Sequence, residues 1–162
     1  MQLAVTGYLV VQSVHIMAVV AAYGLPLAYP LFIPYVRRNH PRSMPGVHDV
    51  QYRLNVWLTG PGTALILAAG VYMATKHHVW DETWVAVPVA IIAVIIVVGG
   101  GVIVPATRRM AALSRADVDA AGGGGAIAWS SAYKRVYARY MAAEVLLGVL
   151  VLTAIFFMAA KP

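Results

Sequence analysis

The sequence predicts an all-α, polytopic membrane protein, a four-helix bundle with its N- and C-termini outside and its basic loops in the cytoplasm. Three observations predict it. The 162-residue chain is 61% hydrophobic and 11% charged, with a mean hydropathy of +0.76. That is more apolar surface than a soluble domain of this size can bury, so the bilayer must act as solvent. Four apolar stretches, at about 8–34, 54–75, 84–105 and 137–160, approach the roughly 20 residues needed to cross a hydrocarbon core. All but Lys76 and Lys161 of the twelve basic side chains fall between the first and second or around the third-to-fourth connection. By the positive-inside rule those loops face the cytoplasm, in a multi-pass protein of the cell (cytoplasmic, inner) membrane.

The first stretch opens with MQLAVTGYLVVQ, which carries no Lys or Arg to form the basic start of a cleavable signal, so the first helix is expected to be the anchor. Pro26, Pro30 and Pro34 recur every four residues in its inner half and each removes an amide donor, which predicts a bend. The second stretch contains Gly60-Pro61-Gly62, a break in the regular ladder, and the third contains Gly99-Gly100-Gly101, a bare segment open to close approach. After the third stretch, RRMAALSRADVDAA reads as a helical extension. Gly122–Gly125 then reads as too flexible to hold structure alone, which makes about 108–135 a cytoplasmic linker within one transmembrane domain spanning 1–162. IPYVRR recurs as VPATRR, and LAAGVYMATK as LTAIFFMAAK, so two helical hairpins related by duplication are expected, parallel about an axis along the membrane normal. Trp57, Trp80, Trp84 and many tyrosines lie near the expected boundaries as an aromatic belt.

Cysteine is absent, which excludes thiol catalysis, disulfide exchange, iron–sulfur ligation and thiolate zinc. The formal charge of +6 is accounted for by topology, and nucleic acid is not an expected partner. An ionisable side chain in an apolar span is expensive and should face the bundle interior, which singles out His15 and Glu144. Tyr8, Gln12, His15 and Ala22 share one helical face, so His15 is either a ligand to a cofactor or a hydrogen-bonding residue. His77 and His78 lie at the outer end of the second helix, somewhat above His15, followed by Asp81 and Glu82. They read either as partners of His15 in a haem or metal site or as solvated interface residues. Asn55, Thr59 and Thr63 line one face at intervals of four. With Thr59 placed at the depth of Glu144, they form an inner polar pocket with Tyr140 and Glu144 that serves either proton handling or interhelical hydrogen bonding.

HIMAVVAAYGL (His15 to Leu25), LTGPGTALILAAGVYM (Leu58 to Met73), the Trp80 and Trp84 pair and VPATRR together resemble the DUF2269 family of integral membrane proteins. More distantly the chain looks like the HemJ-type protoporphyrinogen oxidases and the CopD-type membrane proteins. The first resemblance implies membrane location and no particular activity. The second implies haem binding through the first-helix histidine, whose place His15 takes. The HemJ-like pattern has a lysine shortly after the tryptophan that opens the third helix. This chain reads WVAVPV from Trp84, so porphyrinogen oxidation is not implied.

Three functions are therefore expected. The first is a haem-binding, redox-associated membrane protein carrying haem b, with His15 and His77, or His78, as iron ligands. The second is a non-catalytic accessory or scaffold subunit of a larger membrane complex, and the third a small oligomeric transporter or channel lined by Glu144 and the second-helix polar face. No residue is assigned a catalytic role. The expected partners are the lipid bilayer and other membrane subunits or copies of the chain itself.

Overall fold

The computed structural model describes residues 2–162, with side chains from Gly7 onward. Its elements join into four long rods, each long and apolar enough to cross a membrane, and no strand occurs among the described residues. The first rod is α1 (Gln2–Tyr23), a 3-10 turn at Pro26–Ala28 and α2 (Tyr29–Asn39). It is interrupted where the prolines predict a bend. Gly24 marks the interruption, because a Cβ there would lie 2.6 Å from the Val20 carbonyl oxygen.

The second rod runs from Pro41 to His77 through a 3-10 turn (Pro41–Ser43), α3 (Met44–Leu54), a π turn (Asn55–Thr59) and α4 (Gly60–His77). The third joins α5 (Thr83–Val98), a second π turn (Gly99–Ile103) and α6 (Val104–Ala120), and the fourth is the unbroken α7 (Ser131–Ala160). Both π turns end two residues before a proline, Pro61 and Pro105. A proline ring crowds the carbonyl four residues back and offers no donor, and a wider turn relieves the crowding without ending the helix.

Side-chain pairs give the register. On the first and second rods, Ala22 faces Gly62, His15 faces Gly70 and Tyr8 meets His77, so these rods are antiparallel. Arg115 pairs with Asp49 between the second and third. Lys161 lies 4.8 Å from the centre of the Trp84 ring at one end of the third and fourth, and Asp117 bonds Ser130 at the other. The second and fourth rods consequently run in the same direction.

A rod of 37 residues is about 55 Å long, well beyond a hydrocarbon core of about 30 Å. Residues 41–53, expected as a loop, are helical, and α3 packs on α6 to extend the bundle at its arginine-rich end. The helical extension after Arg108 is present as far as Ala120. The glycine run that follows is held by a neighbour: Arg42 donates from Nη1 to the Gly122 carbonyl (2.8 Å) and from Nη2 to that of Gly125 (2.9 Å). Asp117 closes the same connection by accepting from the Ser130 amide and hydroxyl, while Ser130 caps α7 by accepting from the Tyr133 amide.

At the end carrying the chain termini the core is aliphatic apart from Tyr23, built on Ala18, Ala22, Ile66, Ile91, Ile95 and Val151. Toward the arginine-rich end it becomes aromatic and sulfur-containing, with Tyr29, Met44, Met110, Tyr133 and Tyr140. Outside, Leu31, Trp57 and Val97 are 82%, 79% and 71% exposed among many other large apolar side chains. So much uncovered apolar surface suits a lipid solvent and would aggregate in water.

Candidate functional site

Two helix faces meet along the arginine-rich half of the bundle. On the second rod His48, Gln51 and Asn55 follow at spacings of three and four. On the fourth, Tyr133, Tyr140 and Glu144 follow at seven and four, and helical periodicity sets each trio in a row. All six are buried.

Five of them, all but Asn55, form one hydrogen-bonded chain. Gln51 Oε1 lies 2.7 Å from His48 Nδ1, and an amide oxygen only accepts, so Nδ1 carries the proton. Nε2 of the neutral ring therefore accepts from the Tyr133 hydroxyl at 3.0 Å. Gln51 Nε2 donates to the Tyr140 hydroxyl at 2.7 Å, and Tyr140 donates to Glu144 Oε1 at 2.6 Å. Every donor points the same way, from Tyr133 to the carboxyl group of Glu144. Low-dielectric surroundings strengthen such a chain and make any missing link expensive.

One group beside it is not paired. Asn55 is 8% exposed and its Nδ2 has no hydrogen-bond partner. Because the second and fourth rods are parallel and Gln51 meets Tyr140, one further turn brings Asn55 to the depth of Glu144. This corrects the expectation that Thr59 lies at that depth. Asn55 also opens the π turn, whose extra residue rotates side chains relative to a regular helix.

Thr59 and Thr63 belong to a different contact. The Thr59 hydroxyl donates to the Ala22 carbonyl (3.2 Å) and that of Thr63 to the Thr59 carbonyl (2.7 Å). Thr63 is then left to accept from Tyr23 at 2.6 Å. The expected polar pocket thus divides, with Asn55, Tyr140 and Glu144 on one side and a first-to-second-rod seam at Thr59 and Thr63 on the other.

His15 is buried as expected, and its Nδ1 has no hydrogen-bond partner. Its Cε1 lies 3.5 Å from where a Cβ on Gly70 would stand, so the ring packs on the Gly70 face of α4 at a distance a Cβ would meet in ordinary van der Waals contact. His77 is exposed and sits edge-on to Tyr8, with ring centres 4.5 Å apart. Seven residues separate Gly70 from His77, about 10 Å along the axis. His78 is exposed, terminates α4 in a left-handed conformation (φ 54°) and borders an open depression with Tyr72, Thr75 and Lys76. Two axial ligands must reach one iron from opposite faces of one porphyrin, and His15 with His77 or His78 does not fit that requirement here. No group of three or more His, Asp or Glu side chains suited to a metal occurs among the described residues.

Sequence reasoning found the Tyr140 and Glu144 end of the chain and missed His48, Gln51 and Tyr133. The signal was present as the spacings just given, but it lay in segments read as loop and linker. Comparison with family models, curated proteins and solved structures finds no match.

Proposed function

We propose that this is a multi-pass protein of the cytoplasmic membrane, with termini outside and arginine-rich end inside, that performs proton-linked transport through Glu144. The carrying observation is the one-way donor chain that ends on this buried carboxyl group; the register of the two rods puts the unpaired Asn55 amide at the same depth. A carboxyl group in an apolar span alternates between a charged and a neutral state with very different solvation, and that difference can drive a conformational step. Tyr140 holds one carboxyl oxygen, while the Asn55 amide supplies the free donor with which a small polar solute would bind at the same depth. Gln51 cannot relay a proton as a hydroxyl does, so it fixes the geometry, and the chain serves as a rigid frame for Glu144. Transport by so few helices requires an assembly of several copies. The recurring hairpin ends fit a duplicated unit, and the resemblance to DUF2269 fits a membrane location.

The test is charge displacement in proteoliposomes adsorbed on a solid-supported membrane. An acidifying step is expected to give a transient current in the wild type, a smaller one in Tyr140→Phe and none in Glu144→Gln. Equal currents in wild type and Glu144→Gln would sink the reading. The polar chain would then only fasten the bundle, as suits a scaffold subunit.

A second reading has one observation in its favour. The His15 Nδ1 has no hydrogen-bond partner but is enclosed against α4 at Gly70, so a haem b iron would be held by His15 alone, without His77, and only where the first and second rods part there. A Soret band in the purified protein that disappears in His15→Ala would support it, and a flat spectrum after growth with ample haem would remove it.

A further inference from the structure

A cleft of about 390 Å³ opens between the second and third rods, lined by Tyr52, Val104, Pro105, Arg108, Arg109 and Ala112. We propose that it binds the phosphate headgroup of an anionic phospholipid, with Arg108 and Arg109 as the phosphate ligands. This inference stands apart from the role of Glu144 and requires only that the chain be in a bilayer.

Four observations carry it. The first is depth. The apolar stretch 84–105 ends at Pro105 and the stretch 54–75 begins just after Tyr52, so the cleft lies where hydrocarbon gives way to headgroups on both rods. The second is charge. Among the described residues the single ion pair joins Arg115 to Asp49, and neither cleft arginine takes part in it. Both side chains are exposed, and guanidinium forks match phosphate oxygens in paired hydrogen bonds. The third is the mixed lining. Val104, Pro105 and Ala112 supply apolar walls for a glycerol backbone, which a free inorganic phosphate would not use, while the Tyr52 ring and hydroxyl suit the interface itself. The fourth lies further up the third rod. At Gly99, Gly100 and Gly101 no other group comes within 4 Å of where a side chain would stand, which leaves bare helix surface for an acyl chain. Basic pockets between transmembrane helices at this level are a recurring form of lipid recognition.

The experiment uses the full chain in mild detergent and follows its thermal unfolding midpoint with added phosphatidylglycerol, phosphatidylcholine or inorganic phosphate. Saturating phosphatidylglycerol is expected to raise the midpoint by about 5 °C, with little change from the other two. The shift should be lost in R108Q/R109Q and kept in R135Q/R139Q, which removes the same charge from exposed positions on α7. An equal shift in R108Q/R109Q, or from phosphatidylcholine, overturns the site. An equal shift from inorganic phosphate overturns the lipid as its occupant. If the double variant does not survive purification, R108Q alone decides in the same way, with at least half of the shift expected to disappear.

Discussion

Gln51 joins the two halves of the buried polar chain, because its oxygen accepts from His48 and its nitrogen donates to Tyr140. Replacement by Leu keeps the volume but strands both neighbours, and should destabilise the protein by about 2 kcal/mol. Tyr133→Phe removes a single donor from the end of the chain and should cost about 1 kcal/mol. Chemical unfolding in mixed micelles would rank the two, and the reverse order would mean that the chain is not cooperative. Glu144 was legible because a carboxyl group inside an apolar run needs a partner or a proton. His48 and Gln51 were not, since polar residues beside arginines read as solvated until the helix is known to continue past the membrane boundary. His15 shows the opposite limit: its burial could be read from the chain, whereas its neighbour Gly70 could be named only once the register of two rods was known.

At the level of elements, glycine does two unlike jobs. A Cβ on Gly62 would come 2.8 Å from the Ala22 Cβ, so this glycine permits the first and second rods to touch. Gly62→Val should separate them and lower the unfolding midpoint by several degrees, as differential scanning fluorimetry would record. Gly100 meets nothing, and Gly100→Ala should be neutral or stabilising by up to about 1 kcal/mol through helix propensity, although the lipid side of the third rod would change. The two glycine motifs could be located by reading the sequence, but which of them touches a partner depended on helix rotation, which a hydropathy pattern does not encode. The Gly122–Gly125 run looked unstructured for the same reason. The guanidinium that holds it comes from Arg42, eighty positions earlier. Arg42→Ala should therefore raise amide hydrogen exchange around residues 121–128 and leave the rods unaffected.

For the molecule as a whole, four apolar rods and the gathering of arginines at one end were both written in composition, because the bilayer imposes length and charge rules stronger than any packing detail. The absence of cysteine makes the orientation directly measurable. A single Cys at Asp81 should react with a membrane-impermeant maleimide on intact cells, and one at Ala126 should react only after lysis. Labelling in the opposite order would invert the topology. The α6 extension past the apolar zone was legible in RRMAALSRADVDAA, whereas the helical continuation of the second rod through α3 was not, because a helix that leaves the apolar zone loses the hydropathy signal and retains only its periodicity.

The parallel arrangement of the second and fourth rods also constrains how the protein is made. Helices that run in the same direction cannot form a hairpin, so His48 and Gln51 emerge from the ribosome 85 and 89 residues before their partners Tyr133 and Tyr140. Until α7 has been made, the polar row on the second rod lacks the side chains that satisfy it. The contacts that frame Glu144 therefore form last, when the fourth rod joins the second.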